Sequence, residues 1–126
     1  MGYCSSLMVL MKINSRDKGA RGEREFAQKL TQMGFTARRG CQFSGSPDSP
    51  DVVGGIGGTH VEVKRVERLN IDNAMDQAIN DCGDNLLPYV AHRKNGKKWL
   101  ITLQLEDLPR FAELVLKTEG IKLSEL

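Results

Sequence analysis

The chain has 126 residues, 40% of them hydrophobic and 27% charged, with a formal net charge of +2. That is enough for one domain with a modest core and too little for two. No apolar run approaches the roughly 20 residues of a membrane-spanning helix. The start lacks the basic flank of a secretion signal, and three cysteines (Cys4, Cys41, Cys82) without CxxC spacing argue against a disulfide framework or a zinc site. The expectation is a cytoplasmic protein with no membrane partner.

Residues 1–14 read as an N-terminal extension that need not be ordered, with Met11 an alternative start, and residues 15–126 as a single domain. Over 17–33 the spacing of Phe26, Leu30 and Met33 predicts a helix, capped by Ser15 or Asp17 and stopped by Gly34. "FTARRG" (35–40) follows as a short strand, and the Pro- and Ser-rich "CQFSGSPDSP" (41–50) as a loop. "DVVGG" and "THVEVKR" make a hairpin around a Gly-rich turn. A second helix spans 70–82, with Ile71, Met75, Ala78, Ile79 and Cys82 along one side. "PYVAHRK" and "KKWLITL" flank Asn95-Gly96, a two-residue turn signal, and give a second hairpin. A last helix runs from about Leu105 to Thr118 with Leu108, Phe111, Leu114 and Val115 apolar, either covering the sheet or serving a dimer interface. The order α-β-β-β-α-β-β-α describes an α/β domain on a small mixed sheet flanked by helices.

Charge is unevenly spread. Residues 12–68 hold eleven Lys/Arg against seven Asp/Glu, and "HRKNGKK" (92–98) adds four more basic residues. Residues 70–84, by contrast, carry four aspartates and no Lys or Arg. Basic patches beside acidic stretches suit a polyanion such as nucleic acid, although solvated charge is the commoner cause of such runs.

In "THVEVKR" a period of two puts Val61 and Val63 on one face and Glu62 and Lys64 on the other. A two-residue loop at 56–57 would pair Asp51 with Glu62, and one at 57–58 would pair it with Lys64. Either register gathers Asp51, Glu62 and Lys64 on one face, roughly 5 Å apart; a three-residue loop would separate them. Two carboxylates that close need a compensating cation. Mg²⁺ is suited to the role, being a hard ion that binds one or two carboxylates together with phosphate oxygens. Lys64 would then orient or deprotonate the attacking water. The bland alternative is a hairpin with charges on its wet face.

Asp51 after Pro50, then Glu62-Val63-Lys64, resembles the PD-(D/E)xK signature of restriction-endonuclease-like nucleases. "KGARGERE" (18–25) is similar to the opening helix of archaeal-type Holliday junction resolvases, and the order of the remaining motifs follows that family over about residues 16–103. The resemblance implies a restriction-endonuclease-like fold and a metal-dependent endonuclease of DNA. Glu23, Asp51 and Glu62 would be the metal ligands and Lys64 the catalytic lysine. Lys18, Arg24, Arg38 and Arg39 would contact DNA, and Mg²⁺ would be the cofactor with Mn²⁺ able to substitute. The substrate would be a four-way junction cut by a homodimer to leave 5′-phosphate and 3′-hydroxyl ends. Periodicity alone does not choose between Glu23 and Glu25 as the helix ligand. His60 shares the face of Glu62 but is read as peripheral, and Gln77 as a surface residue of the second helix. The loop 41–50 is longer than is usual in the family, so loop contacts do not transfer. Two rivals stay open: a nuclease of the same fold acting on duplex, flaps or single strands, and a DNA-binding module that does not cut.

Overall fold

The computed structural model describes residues 20–39 and 52–119, the side chains at 38, 39, 53 and 119 excepted. The expected extension, the caps Ser15 and Asp17, Lys18, the loop 41–50, Asp51, Cys4 and Cys41 lie outside those residues.

Helix α1 spans 20–32. Phe26, Ala27 and Leu30 recur at helical spacing and are buried, which docks one stripe on the core. The helix ends in a Schellman motif: Phe35 N–H donates to Leu30 C=O at 2.9 Å and Gly34 N–H to Thr31 C=O at 3.1 Å, with Gly34 at φ 107°. Met33, expected on the apolar stripe, lies past the last helical turn and is exposed.

Strands β1 (Ala37–Arg39) and β2 (Val52–Gly54) pair antiparallel, with Ala37 opposite Gly54 and Arg39 opposite Val52. This corrects the expected hairpin, because among the described residues β2 pairs with β1 and not with β3 (Thr59–Arg65). Gly54, Gly55 and Gly58 all take positive φ, and Ile56 between them turns into the core. The chain therefore makes a broad turn where a two-residue loop was expected. Gly54 is required there, since a Cβ at its φ of 86° would meet the Thr36 carbonyl oxygen. From the far end of the chain, Thr118 Oγ1 accepts the Gly57 N–H at 2.9 Å and steadies the turn.

Strand β3 instead pairs in parallel with β4 (Leu87–Arg93), and β4 pairs antiparallel with β5 (Leu100–Leu103). A parallel pair needs a crossover connection, and helix α2 (Ile71–Asp81) supplies it, its start capped by Asn70, whose side chain accepts the Asn73 N–H at 3.1 Å. The parallel register sets Val61 beside Tyr89, Val63 beside Ala91 and Lys64 beside His92. One sheet face thus carries Val61, Val63, Tyr89, Ala91 and Leu103 against Phe26, Ala27 and Leu30 of α1. Phe111, Leu114 and Val115 of α3 (Leu108–Glu119) pack there too, with a one-turn 3₁₀ segment (Leu105–Asp107) before that helix, so the last helix covers the sheet. The other face is thinner: Val90 packs against Ala74 and Ala78 of α2.

The second hairpin forms, but its register differs from a two-residue loop. His92 pairs with Leu100, whereas a tight Asn95-Gly96 loop would bring Trp99 there. Only Gly96 of the two has positive φ, and Lys97 N–H closes the turn on Lys94 C=O at 3.2 Å. The extra residue keeps Ile101 and Leu103 on the α1 face, with Thr102 opposite Val90 on the other. Trp99 is half-buried and packs on Phe26 at a centroid distance of 5.2 Å.

Candidate active site

On the α2 side of the sheet, period-two alternation lines up His60, Glu62 and Lys64 along β3. The parallel register sets Val90 and His92 of β4 beside Glu62 and Lys64. Glu62 is the buried charged side chain among the described residues, 6% exposed. A carboxylate in that position requires compensation from nearby positive charge. Lys64 Nζ stands 3.7 Å from one of its oxygens and His60 Nε2 3.8 Å from the other. Both distances exceed hydrogen-bonding length, so neither group occupies the carboxylate's lone pairs, and its hard oxygen donors suit a divalent cation such as Mg²⁺. Among the described residues no three acidic, histidine or cysteine groups stand together for one metal. Asp51, the proposed second strand ligand, lies outside them.

Glu23 sits half-buried on α1 and Arg24 beside it is exposed. Two residues on, Glu25 is committed elsewhere. Its carboxylate pairs with Arg65 Nε at 3.5 Å and with Arg93. Arg65 and Arg93 are register partners on the α1 face of the sheet, the side opposite Glu62 and Lys64. Glu25 is thus a partner of arginines and is placed away from the Glu62 face. Gly22 lets α1 come this close, since a Cβ there would lie 2.6 Å from Arg65 Cβ. Arg38 and Arg39 lie on β1. Gln77 is exposed on α2.

Two histidines stand nearer the site than the sequence suggests. His60, read as peripheral, reaches within 3.8 Å of Glu62; the signal for it was its place two residues before Glu62 on one strand face. His92 shares a 3.0 Å hydrogen bond between its Nε2 and Thr102 Oγ1 and lies beside Lys64. Burial, and then the charge of Lys94, hold its imidazole below the ordinary value of 6.5. Nothing in the sequence marks His92, because its position depends on the parallel pairing made after α2. A groove of about 710 Å³ opens on the other side of the sheet between α1, the β4–β5 hairpin and α3, lined by Phe26, Leu30, Trp99 and Phe111.

Comparison with known proteins agrees with this geometry. No curated protein sequence matches the chain. A solved structure, that of Archaeoglobus fulgidus Hjc, a Holliday junction resolvase from an archaeal hyperthermophile, is similar at 30% sequence identity and a TM-score of 0.50. The match covers 68% of this chain and 72% of that one. The profile of the archaeal Holliday junction resolvase (Hjc) family matches residues 14–126, and with a buried glutamate and its lysine on one strand face of the same α/β fold, the chain belongs to that family of nucleases.

Proposed function

We propose that the chain is a Mg²⁺-dependent endonuclease that resolves four-way DNA junctions as a homodimer. The observation that carries the reading is Glu62, buried on β3 with Lys64 Nζ 3.7 Å from its carboxylate. A lysine this close to a buried carboxylate is held in position on the same strand face, which is what a group that orients the attacking water needs.

Glu62, together with Asp51 and Glu23, would hold the metal. When bound, a divalent ion would activate water and neutralise charge developing on the phosphate oxygens. Lys64 directs the water toward phosphorus in line with the leaving oxygen. His60, on the far side of Glu62, helps hold that carboxylate in place. Arg24, Arg38, Arg39 and Lys18 neutralise the flanking backbone, and the products carry 5′-phosphate and 3′-hydroxyl ends. Two-fold symmetric cuts in a junction suit a C2 dimer that presents two sites at once.

The test is cleavage of a mobile four-way junction beside a linear duplex and a single strand of the same sequence, with and without Mg²⁺. Junction-selective, Mg²⁺-dependent cutting is expected. Equal cutting of duplex or single strand would move the chain to a general nuclease of the same fold.

A further inference from the structure

Residues 93–98 carry four basic side chains, Arg93, Lys94, Lys97 and Lys98. Runs of this kind are most often solvated edges, where lysines deter unwanted strand pairing. This one is different in how it is held. Both oxygens of Glu67 accept the Asn95 N–H, at 3.0 and 3.3 Å. Arg93 Nε donates to the Lys97 carbonyl at 2.5 Å, and Arg93 also pairs with Glu25 of α1. Glu67 lies just after β3 and Glu25 on α1, so the tip is tied to both elements that carry the proposed site.

The acidic groups that reach the tip are spent on a backbone N–H and on arginines. Among the described residues Lys94, Lys97 and Lys98 enter no ion pair, and all three are exposed. Their place is also specific. Arg93 registers with Arg65, so the tip begins one residue beyond the end of the strand bearing Glu62 and Lys64. Lys94 follows His92, the neighbour of Lys64, by two residues, roughly 7 Å along the chain. Its charge is felt at the imidazole there, adding to the effect of burial.

We propose that the β4–β5 hairpin is a DNA-backbone arm, in which Lys94, Lys97 and Lys98, on a tip fixed by Glu67 and Glu25, bind phosphates beside the one that is cut. The identity of the polyanion rests on the nuclease reading above. These contacts are additional to those proposed for Arg24 and Arg39, and they come from a separate element of the chain. Preorganisation is what the two glutamates contribute, because lysines on a loose tip would have to be ordered on binding.

The test measures affinity of the full chain for a labelled four-way junction and a labelled duplex, across salt, in metal-free buffer. Each phosphate neutralised contributes about 0.9 to the slope of log K against log salt. Replacing all three lysines by alanine is expected to lower the slope by about 2 to 3 units. Glu67→Ala gives the sharper result. It deletes a negative charge from a DNA-binding face, so net charge alone predicts tighter binding, whereas loss of the anchor weakens binding several-fold. Thermal unfolding of both variants checks that the surface changes leave the fold intact. An unchanged slope in the triple variant, or Glu67→Ala binding as tightly as the parent, overturns the arm. A parent chain that binds DNA with the arm's slope but cuts no junction supports the arm and overturns the resolvase reading.

Discussion

In the proposed function, Glu62 and Lys64 divide the work of one strand face between holding the metal and directing the attacking water. Asp51→Asn or Glu62→Gln is expected to abolish cleavage while leaving metal-free junction binding intact or improved, since each loses a ligand charge and no phosphate contact. Gel assays of cutting beside anisotropy of binding check both halves. Lys64→Ala should still bind junction but cut at least ~10²-fold more slowly in single turnover, the low end for a positioned proton-transfer group. Lys64→Arg should restore little, because a guanidinium neither gives up its proton nor fits a point-charge site. The two glutamates of α1 are expected to behave oppositely. Glu25→Ala leaves Arg65 and Arg93 without their carboxylate partner, so stability in urea should fall by about 1–3 kcal/mol. Glu23→Ala should show its main effect in catalysis, as a loss of cleavage at low Mg²⁺. A stable Glu25 variant that cannot cut would reverse these assignments.

Between elements, the contact that matters most for the site is α1 on β3. Gly22 stands where a Cβ would come 2.6 Å from Arg65 Cβ. Glycine to alanine within a helix ordinarily stabilises by about 0.5–1 kcal/mol. Here the overlap is with a strand side-chain root that cannot swing away, and overpacking costs about 1–3 kcal/mol. The second term wins, so Gly22→Ala should destabilise the protein. It should also slow cleavage, because Glu23 is the next residue and moves with the helix. Denaturation and single-turnover rates measured on one preparation test both effects; a stabilised variant would show that the helix shifts without strain. The hairpin of β4 and β5 shows a related limit. Asn95-Gly96 marked the turn, yet one additional residue in the loop placed Ile101 on the α1 face and Thr102 beside His92.

At the scale of the molecule, stability should depend on pH through His92. Its folded value is depressed from 6.5, first by burial and then by Lys94. The unfolded chain therefore takes up the proton first as pH falls. The contribution is complete above about 6.5 and is lost as pH drops toward the depressed folded value. Parent and His92→Gln, compared by chemical denaturation at pH 7.5 and 5.5, should diverge less at the lower pH; a constant difference would remove His92 from the titration. The oligomer is a matter of the same scale. Sedimentation at micromolar concentration is expected to give twice the chain mass, and a monomer that still resolves junctions would require two chains to meet only on DNA.

Local patterning was enough to determine the order of elements, the helix stop at Gly34 and the face shared by Glu62 and Lys64, while the family was legible through the resemblance of the motifs at 18–25 and 50–64. Each depends on residues a few positions apart, where a period of 2 or 3.6 acts directly on the backbone. Strand partnership was decided by tertiary structure. Apolar alternation says which face of a strand is buried but not which strand lies beside it. The glycine turn sent β2 to β1, and α2 carried the chain across so that β4 lies parallel to β3. From that single pairing came His92 beside Lys64, Arg93 beside Arg65, and the capture of Glu25 on the face away from Glu62. These are contacts between segments tens of residues apart, set by the joint burial of Phe26, Tyr89 and Phe111 in one core.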